Sequence, residues 1–376
     1  MGSRSVDPRK KILIFYASAG HGHEKAAHAV MEAVQECCPD TDSRMIDTVS
    51  LMPSFAGSGY RQTYLLQIKH VPWLWGVCYY ALDIPIIYFF ARFVRRIFNW
   101  ITSKKLVELI LREKPDVVFT THFYASEVVS SLKSSKKTDV RLVTVVTDYC
   151  AHRIWTAPQT DCYAVGLEET RAGLVRRGAH AEKVHVTGIP VEKKFFRPVD
   201  RAAVFARLGL DHGVFTVLLT SGGVGVGSME PLLKKILTLQ KPVQAILVCG
   251  SNKALYEKMS SPQNAHPRLK TLGFVDYMNE LMDCADLVVG KAGGLTITES
   301  FLKHKPVVMT GSIPGQEARN VSCVVAHHAG VEAANAVEVA AEVSMLLGND
   351  HEMNRLKQGA AAIARPGAAR AIAALG

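Results

Sequence analysis

The segment 286–321 constrains the fold of this chain more than any other part of its sequence. It begins with a buried-strand run, Asp286–Val289, and continues through a two-glycine turn into a helix-like stretch, Thr296–Lys303. A second apolar run, Pro306–Met309, then leads into a polar Pro-Gly-Gln-Glu loop. This order is typical of a nucleotide site on an α/β sheet, because glycine lets the backbone approach a ligand and a helix N-terminus offers unpaired N–H groups to anionic oxygens.

Apolar runs typical of buried parallel strands form two series, divided by the proline-containing stretch Gly188–Pro198. Helical patterning alternates with the runs in both series, which favours doubly wound parallel sheets. We therefore predict an α/β protein of two Rossmann-like domains that face a cleft, at 9–195 and 199–350, followed by a helical tail at 351–376. The predicted strands are Lys11–Tyr16, Asp116–Thr120, Leu142–Thr147 and Cys162–Val165 in the first domain, and Phe215–Thr220, Gln244–Cys249, Leu269–Phe274, Asp286–Val289 and Pro306–Met309 in the second.

Composition narrows the cellular setting. The eight cysteines lack metal-type C-x-x-C spacing and lie mostly in apolar runs, so reduced core thiols in a cytosolic protein are expected rather than a disulfide framework. The polar opening MGSRSVDPRKK does not resemble a secretory signal, and no uncharged apolar stretch of about 18 residues predicts a transmembrane helix. The net charge of +10 suits an anionic partner such as a membrane surface, a nucleic acid or a phosphorylated ligand.

Three polar side chains at predicted strand ends are candidates for chemistry in the first domain. His23 ends a glycine-containing loop between the first strand and the first helix, where an imidazole can act as general base towards a hydroxyl. A core or helix-start histidine is the alternative, since histidine burial is mixed. Asp148 follows another strand and can orient a histidine or an acceptor hydroxyl, or serve only as a cap or turn residue. His122 is a further candidate for an acceptor pocket.

A second glycine-rich turn, Ser221–Ser228, follows the strand predicted at Phe215–Thr220. Its backbone N–H groups, including those of Gly222 and Gly223, can contact a diphosphate. The turn lacks the Lys-Ser/Thr ending of a P-loop, so the sequence gives no support for ATP hydrolysis.

These motifs together resemble the monogalactosyl- and glucosyl-diacylglycerol synthases, relatives of the lipid-II N-acetylglucosaminyltransferase. The Lys-Ala-Gly-Gly-x-Thr-x-x-Glu run at 291–299 and the Pro-Gly-Gln-Glu loop at 314–317 match the nucleotide-sugar half of that family. Gly22-His23 before an alanine-rich helix, and the Val-Thr-Asp segment that ends at Asp148, match the other half. The chain departs from the pattern at His21, where many relatives have Gly, Ala or Asn.

The resemblance implies the fold of a GT-B glycosyltransferase whose last helix returns to the first domain, with catalytic roles for His23 and Asp148. It implies that Glu299 binds the ribose hydroxyls, although a solvated helix residue is the ordinary alternative. It also implies that Phe274 and Val275 lie beside the uracil, and either can be strand-end core instead. The implied UDP-sugar contacts are Gly222, Gly223, Phe274, Val275, Gly293, Gly294, Thr296, Glu299, Gln316, Glu317 and Asn320.

The stretch 72–105 is the most lipid-like part of the sequence. On a helical wheel Phe90 and Phe93 fall on an apolar face, whereas Arg92, Arg95 and Arg96 fall on the opposite face. This pattern predicts an interfacial amphipathic helix that lies on anionic lipid and provides membrane or acceptor contacts. A helix that packs its apolar face on the core gives the same pattern and remains the alternative.

The predicted function is that of an inverting glycosyltransferase in glycolipid synthesis, peripheral to the cytoplasmic face of a membrane. It moves a hexose from UDP-glucose or UDP-galactose to a lipid hydroxyl, with diacylglycerol as the expected acceptor. No Asp-x-Asp motif flanked by strands occurs, so we expect no metal or other cofactor, with helix dipoles offsetting the charge on the leaving group. The alternatives are an undecaprenyl-linked or other lipid acceptor, a UDP-sugar epimerase, and a basic nucleic-acid-binding protein. The last is disfavoured, since the sequence has no zinc knuckle, RRM motif or reader helix.

Overall fold

The computed structural model describes residues 10–18, 20–53, 71–220 and 229–376. Within these ranges the first domain has a parallel sheet of six strands, ordered β2-β1-β3-β4-β5-β6. The inner strands consist almost wholly of buried apolar residues, as expected for a sheet covered on both faces. The strands are β1 (Lys11–Tyr16), β2 (Asp42–Asp47), β3 (Val117–Thr120), β4 (Arg141–Val145), β5 (Cys162–Val165) and β6 (Val184–Val186).

The second domain has a parallel sheet of the same size, ordered β12-β11-β10-β7-β8-β9 among the described residues. Strand order reverses between β1 and β3 in the first sheet and between β7 and β10 in the second, and ligands bind beside the carboxyl ends of strands at such points. The predicted fold class is therefore confirmed. The strands are β7 (Phe215–Thr220), β8 (Val243–Val248), β9 (Leu269–Leu272), β10 (Leu287–Gly290), β11 (Val307–Met309) and β12 (Gly330–Glu332).

Helices cover both faces of each sheet and bury their apolar sides against it. The first helix, for example, packs a stripe of small residues, Ala26, Ala27, Val30 and Ala33, inward. The helices are α1 (His21–Cys37), α2 (Pro72–Leu82), α3 (Pro85–Thr102), α4 (Lys104–Glu113), α5 (Phe123–Ser134), α6 (Glu168–Arg176), α7 (Arg201–Leu208), α8 (Met229–Leu237), α9 (Lys253–Met259), α10 (Met278–Cys284), α11 (Gly294–Leu302), α12 (Gln316–Ala326), α13 (Ala336–Leu347), α14 (Asp350–Ile363) and α15 (Ala368–Ala373).

The two domains share apolar packing at the carboxyl edges of their sheets. One core cluster includes Ala26 and Tyr149 from the first domain together with Leu295 and Ile297 from the second. A Cβ added to Gly294 would lie 2.1 Å from the carbonyl oxygen of Thr147, so only glycine permits this approach of α11 to the first domain. The contact brings the loops at the ends of both sheets together.

The chain returns to the first domain at its C-terminal end. Ala360 and Ile363 of α14 belong to the core cluster that both domains share. Ile372 of α15 is fully buried in the first domain, in the cluster that contains Ile14 and Phe119. Residues from opposite ends of the sequence therefore complete one core.

Helix α3 has its apolar side exposed and its polar side against the protein. Phe90 and Phe93 are 65% and 68% exposed, whereas Tyr88 and Thr102 are buried. Arg95 packs inward and pairs with Glu127 at 2.7 Å, and Asn99 donates a hydrogen bond to the same carboxylate at 3.0 Å. This orientation is the reverse of an ordinary core-facing helix.

The structure corrects two features of the predicted amphipathic helix. Arg95 does not lie with the exposed Arg92 and Arg96, because its guanidinium is held by Glu127 and lies over the ring of Phe123. The stretch is also two helices, α2 and α3, rather than one. Among the residues that the structure describes, no single helix is long and apolar enough to cross a membrane, whereas Trp73–Leu82 and α3 together pass that test as a pair bent by 101°, on length and composition alone.

Replacement of Ile372 by alanine tests the return of the tail. We expect Ile372→Ala to lower the free energy of unfolding by about 2–5 kcal/mol, the usual cost of emptying a fully buried isoleucine site. Urea denaturation measures the change. Val337→Ala, at an apolar site that is 60% exposed, is the control and should cost far less. Equal costs for the two substitutions would contradict the packing described here.

Candidate active site

A cavity of about 340 Å³ lies between the carboxyl edges of the two sheets. The first domain contributes the loop before α1, the inner side of α2 and the ends of β3 and β4. The second domain contributes the ends of β8 and β9, the turn between β10 and α11, and the start of α12. Most of the predicted site residues converge on this one space.

His23 lies on the first turn of α1 and lines the cavity. Its Nδ1 is 2.7 Å from the carbonyl oxygen of Thr121 and 3.3 Å from the hydroxyl of Thr147. Because a carbonyl only accepts hydrogen bonds, Nδ1 carries the proton and Nε2 is left as the basic nitrogen. Burial lowers the pKa of His23 to about 4, so the imidazole is neutral at physiological pH. The side chain therefore has the tautomer and charge that a general base requires.

Two further histidines of this region, His122 and His152, have structural hydrogen bonds. His122 is buried edge-on to His23, with ring centroids 4.8 Å apart, and its Nδ1 accepts from the N–H of Tyr124 at the start of α5. His152 donates from Nε2 to the carbonyl of Tyr79 at 2.8 Å and accepts at Nδ1 from the N–H of Ile154. Burial lowers the pKa of both, that of His152 to about 4. His122 lines the cavity, as expected of a residue near the acceptor.

Asp148 also lines the cavity, immediately after Thr147. Burial raises its pKa to about 6, against hydrogen bonds from Asn320 and Trp155 that favour the carboxylate. Asp148 was predicted to orient either a histidine or an acceptor hydroxyl. The ring of His23 is held by Thr121 and Thr147 rather than by Asp148.

Three helices begin at the cavity without a side-chain cap. Their N-cap residues are Gly20 before α1, Gly293 before α11 and Gly315 before α12, and none of these N-caps makes a side-chain hydrogen bond to the helix start. Glycine has no side chain with which to satisfy these donors. Three positive helix ends thus meet at one place, an arrangement that favours anionic oxygens.

Glu299 of α11 lines the cavity and is almost fully buried. Its Oε1 pairs at 3.3 Å with the ammonium of Lys25, which comes from α1 of the other domain. Burial raises the pKa of Glu299 and the charge of Lys25 opposes that shift. The pair crosses the cleft, and the surface-residue alternative for Glu299 is excluded by its burial.

The Pro-Gly-Gln-Glu loop enters the same cavity at the start of α12. Gln316 lines it, and Glu317 is buried there with Oε2 accepting from the N–H of Ile313 at 2.7 Å. Lys291 lines the cavity too. Burial lowers the pKa of Lys291 and raises that of Glu317, while their mutual attraction opposes both shifts.

The wall formed by the second domain is wider than the motifs suggest. Phe274 and Val275 line the cavity as predicted, and Phe274 is 65% exposed, so it is not strand-end core. Met278 and Met282 of α10 lie on the same wall and were missed, because a short helix of ordinary composition carries no motif. Gly250, after β8, was missed as well. The structure gives it a φ of +59°, a backbone conformation that favours glycine.

The remaining predicted contacts divide into three groups. Gly293, Gly294 and Thr296 line the cavity. Asn320 is fully buried, with Oδ1 accepting from the N–H of Tyr149 at 3.0 Å and Nδ2 donating to the carbonyl of Ala292 at 3.0 Å. Its polar atoms thus join the two domains, and we reassign it from ligand contact to positioning. Gly222 and Gly223 lie outside the described residues.

Helix α2 forms an apolar wall that the sequence did not predict as part of the site. Trp75, Tyr79 and Leu82 face the cavity from this helix, whereas the membrane or acceptor contacts predicted for the stretch were all placed at 90–96. Phe123 and Trp155 extend the wall from the body of the first domain. The first domain therefore gives the cavity an apolar wall, and the polar side chains of Glu299, Gln316 and Glu317 enter it from the second domain.

The described residues contain no group of three or more His, Cys, Asp or Glu side chains arranged to hold a metal ion. That the reaction proceeds without a metal remains a prediction.

Two facing Rossmann-like domains around such a cleft are the GT-B fold. Solved structures agree in fold: MurG of Acinetobacter baumannii superposes with a TM-score of 0.62 at 15% identity, covering 98% of this chain and 99% of its own. The UDP complex of Staphylococcus aureus MnaA gives a TM-score of 0.63 at 12% identity, covering 96% and 94%.

Sequence comparison agrees with the predicted resemblance. Residues 23–191 match the model of monogalactosyldiacylglycerol synthase, and residues 217–354 match the C-terminal domain of glycosyltransferase family 28. The processive diacylglycerol β-glucosyltransferase of Bacillus pumilus is 28% identical over 356 residues, covering 94% of this chain and 91% of its own. The predicted resemblance to the monogalactosyl- and glucosyl-diacylglycerol synthases is therefore confirmed.

The depressed pKa of His23 predicts a pH dependence of stability. Between pH 6.5 and about 4 the unfolded chain binds a proton that the folded protein does not, so acid lowers the free energy of unfolding. We expect His23→Gln to remove about 1–2 kcal/mol of the loss between pH 7 and pH 5, measured by urea denaturation at each pH. Protonation of Asp148 below about pH 6 has the opposite effect, because it raises the free energy of unfolding. This contribution is present in both the wild type and His23→Gln and cancels in their difference.

His28→Gln, at an exposed site on the same helix, is the matched control and should keep the wild-type pH slope. Parallel pH curves for His23→Gln and the wild type would contradict the burial of a neutral imidazole.

Proposed function

We propose that this glycosyltransferase moves a hexose from a UDP-sugar to the free hydroxyl of a membrane diacylglycerol, with inversion at the anomeric carbon. The observation that carries the proposal is the position of His23, whose ring lies in a cavity with an apolar wall on one side and Glu299, Gln316 and Glu317 on the other. A lipid hydroxyl and a sugar nucleotide are the two reactants that these two sides suit.

The proposed reaction is a single displacement. Nε2 of His23 takes the proton of the acceptor hydroxyl while that oxygen attacks the anomeric carbon and the bond from that carbon to the UDP oxygen breaks. UDP leaves from the opposite face of the sugar, so no covalent sugar–enzyme species forms. Asp148, ionised above about pH 6, is the candidate for orienting the acceptor hydroxyl.

Departure of UDP without a metal is part of the proposal. The uncapped starts of α1, α11 and α12 direct their N–H groups and helix dipoles at the cavity, where anionic oxygens are stabilised. Lys291 adds a cationic side chain on the same side. In the nucleotide, Glu299 accepts from the ribose hydroxyls, and Phe274 and Val275 lie beside the uracil.

Contact with a membrane is supported by α3. An apolar helix side that faces solvent while its polar side binds the protein is what an interfacial helix requires, and the exposed Arg92 and Arg96 suit anionic lipid. The inner side of the adjoining helix α2 lines the cavity, so a lipid surface at α3 would lie beside the acceptor wall. The free thiols of all eight cysteines support a reducing compartment, and we propose peripheral attachment at the cytoplasmic face.

Other acceptors and activities remain distinguishable by experiment. An undecaprenyl-linked acceptor would use the same apolar wall, whereas an epimerase would convert UDP-sugar without any acceptor. The relative from Bacillus pumilus is named for diacylglycerol and glucose, which favours diacylglycerol as acceptor and UDP-glucose as the first donor to test. A nucleic-acid-binding role is disfavoured, since the exposed arginines of α3 lie among exposed aromatic side chains.

Release of UDP tests the reaction. Purified protein should release UDP from UDP-glucose or UDP-galactose only when diacylglycerol is present in anionic liposomes, and His23→Ala should lower kcat by roughly 10²- to 10⁴-fold because the general base is lost. His28→Ala, on the same helix but exposed, should retain activity. Conversion of UDP-sugar without lipid would favour an epimerase, and wild-type activity in His23→Ala would exclude His23 as the base.

Binding to liposomes tests the proposed membrane surface. Each of Arg92 and Arg96 should contribute about 1 kcal/mol on anionic lipid, so the double substitution Arg92→Gln/Arg96→Gln should weaken binding roughly 20- to 30-fold in a flotation assay. Arg95→Gln is the matched control on the same helix, because Arg95 pairs with Glu127 rather than facing outward. It should lower the melting temperature and leave liposome affinity unchanged. An equal loss of affinity in Arg95→Gln would contradict the orientation of α3.

A further inference from the structure

The corner between α2 and α3 is tied to the second domain by an ion-pair cluster. Asp83 lies at that corner and accepts from Arg177 of the first domain at 2.7 and 2.5 Å. The same carboxylate accepts from Arg319 of α12 at 2.8 Å and from the backbone N–H of Arg153 at 3.1 Å. Arg319 also donates to the carbonyl of Ala151 at 3.0 Å. One carboxylate thus joins both domains to the corner.

Arg319 is on the helix that begins with Gln316 and Glu317. It is about one turn from both, so a contact that holds its guanidinium also orients the start of α12. The guanidinium lies over the rings of Tyr79 and Tyr80 of α2, at 5.3 and 5.2 Å from their centroids. The helix start is therefore held by both charge and aromatic contact.

The loop before α12 is seated directly on α2. A Cβ added to Gly76 would lie 2.7 Å from the Pro314 side chain, and one added to Gly315 would lie 2.9 Å from the ring of Tyr79. Gly315 has a φ of +102°, a conformation that favours glycine. Tyr79 is stacked on His152 in turn, at 4.0 Å between ring centroids. The loop and α2 are therefore packed so closely that no side chain larger than glycine fits between them at these two positions.

Burial opposes ionisation of Asp83, but hydrogen bonds from Arg177 and Arg319 hold the pKa of its carboxyl well below the usual range. The cluster therefore persists across the pH range in which the enzyme is assayed.

We propose that Asp83, Arg319 and Tyr79 are positioning residues that hold the loop 314–317 against α2, so that the helix pair α2–α3 sets the geometry of the donor-sugar contacts. That Gln316 and Glu317 are donor contacts rests on the proposed function. Donor contacts must be held to a fraction of an ångström to be productive, and a loop needs an external support to achieve this. Here the support is the helix pair α2–α3, in which α3 has its apolar side exposed.

Asp83→Asn and Arg319→Gln test the support. Each should raise KM for the UDP-sugar tenfold or more, while KM for diacylglycerol and affinity for liposomes stay within twofold of wild type. The double variant should show less than the sum of the two separate effects, because both substitutions remove the Asp83–Arg319 contact. Arg319→Lys, which keeps the charge but loses the planar guanidinium, should give an intermediate KM for the UDP-sugar. It replaces Asp83→Asn as the test if that variant fails to fold.

Arg207→Gln is the matched control. Arg207 also pairs with a carboxylate, Glu280, and also lies over a tyrosine, Tyr277, but all three belong to the second domain and none lines the cavity. Its KM for the UDP-sugar should remain that of wild type. If Arg207→Gln raised the KM for the UDP-sugar as much as Arg319→Gln does, the proposal would be overturned. Loss of any arginine–carboxylate pair would then be enough to raise KM.

Calorimetric binding of UDP, without lipid, separates this inference from the proposed function. If the wild type does not bind UDP, the proposed function fails. If the wild type binds UDP while Asp83→Asn and Arg319→Gln, folded by melting temperature, retain its UDP affinity and its donor KM, the positioning role is overturned. Additive effects of the two substitutions would also overturn it.

Discussion

The close approach of the two domains underlies every other feature of the site. Gly294 meets the carbonyl of Thr147 where no side chain fits, and buried Asn320 joins Tyr149 of one domain to Ala292 of the other. An unpaired amide at such a buried position would be costly, so both partners must stay in place. Because these contacts lie at the carboxyl edges of two parallel sheets, they bring the loops that carry chemistry to a common cavity. In this arrangement His23 of one domain and Glu299 and Glu317 of the other line the same cavity.

The orientation of α3 decides between two interpretations that its sequence pattern leaves open. An amphipathic wheel fits a core helix and an interfacial helix equally, and the deciding observation is which side meets the protein. Glu127 receives Arg95 and Asn99, so the polar side is occupied and the aromatic side faces outward. The apolar cavity wall on α2 and this outward face belong to consecutive helices, joined at Asp83. In the proposed function, access for a lipid and support for the loop 314–317 thus depend on the same short segment.

Sequence reasoning predicted most of the fold and most of the cavity. The inner strands were found because strands buried on both faces are continuous apolar runs, whereas β2, with the polar sequence DSRMID, and the three-residue β12 lack that signal. His23 was found because a glycine turn marks a strand end, whereas Glu299 and Gln316 were found through the family resemblance. The inward turn of Arg95 was not, because its partner Glu127 is distant in sequence and a wheel shows only which residues share a side. The contacts of α2 with the cavity were missed for the same reason.

The return of the chain at its C-terminal end has a consequence for how the protein is made. Ile372 completes the core around Ile14 and Phe119, so the first domain to leave the ribosome lacks part of its own interior until α15 has been synthesised. Domains usually fold as units in the order of their synthesis. Here the apolar surface that α15 covers stays exposed while the whole second domain is translated. Folding of the first domain is therefore coupled to synthesis of the second.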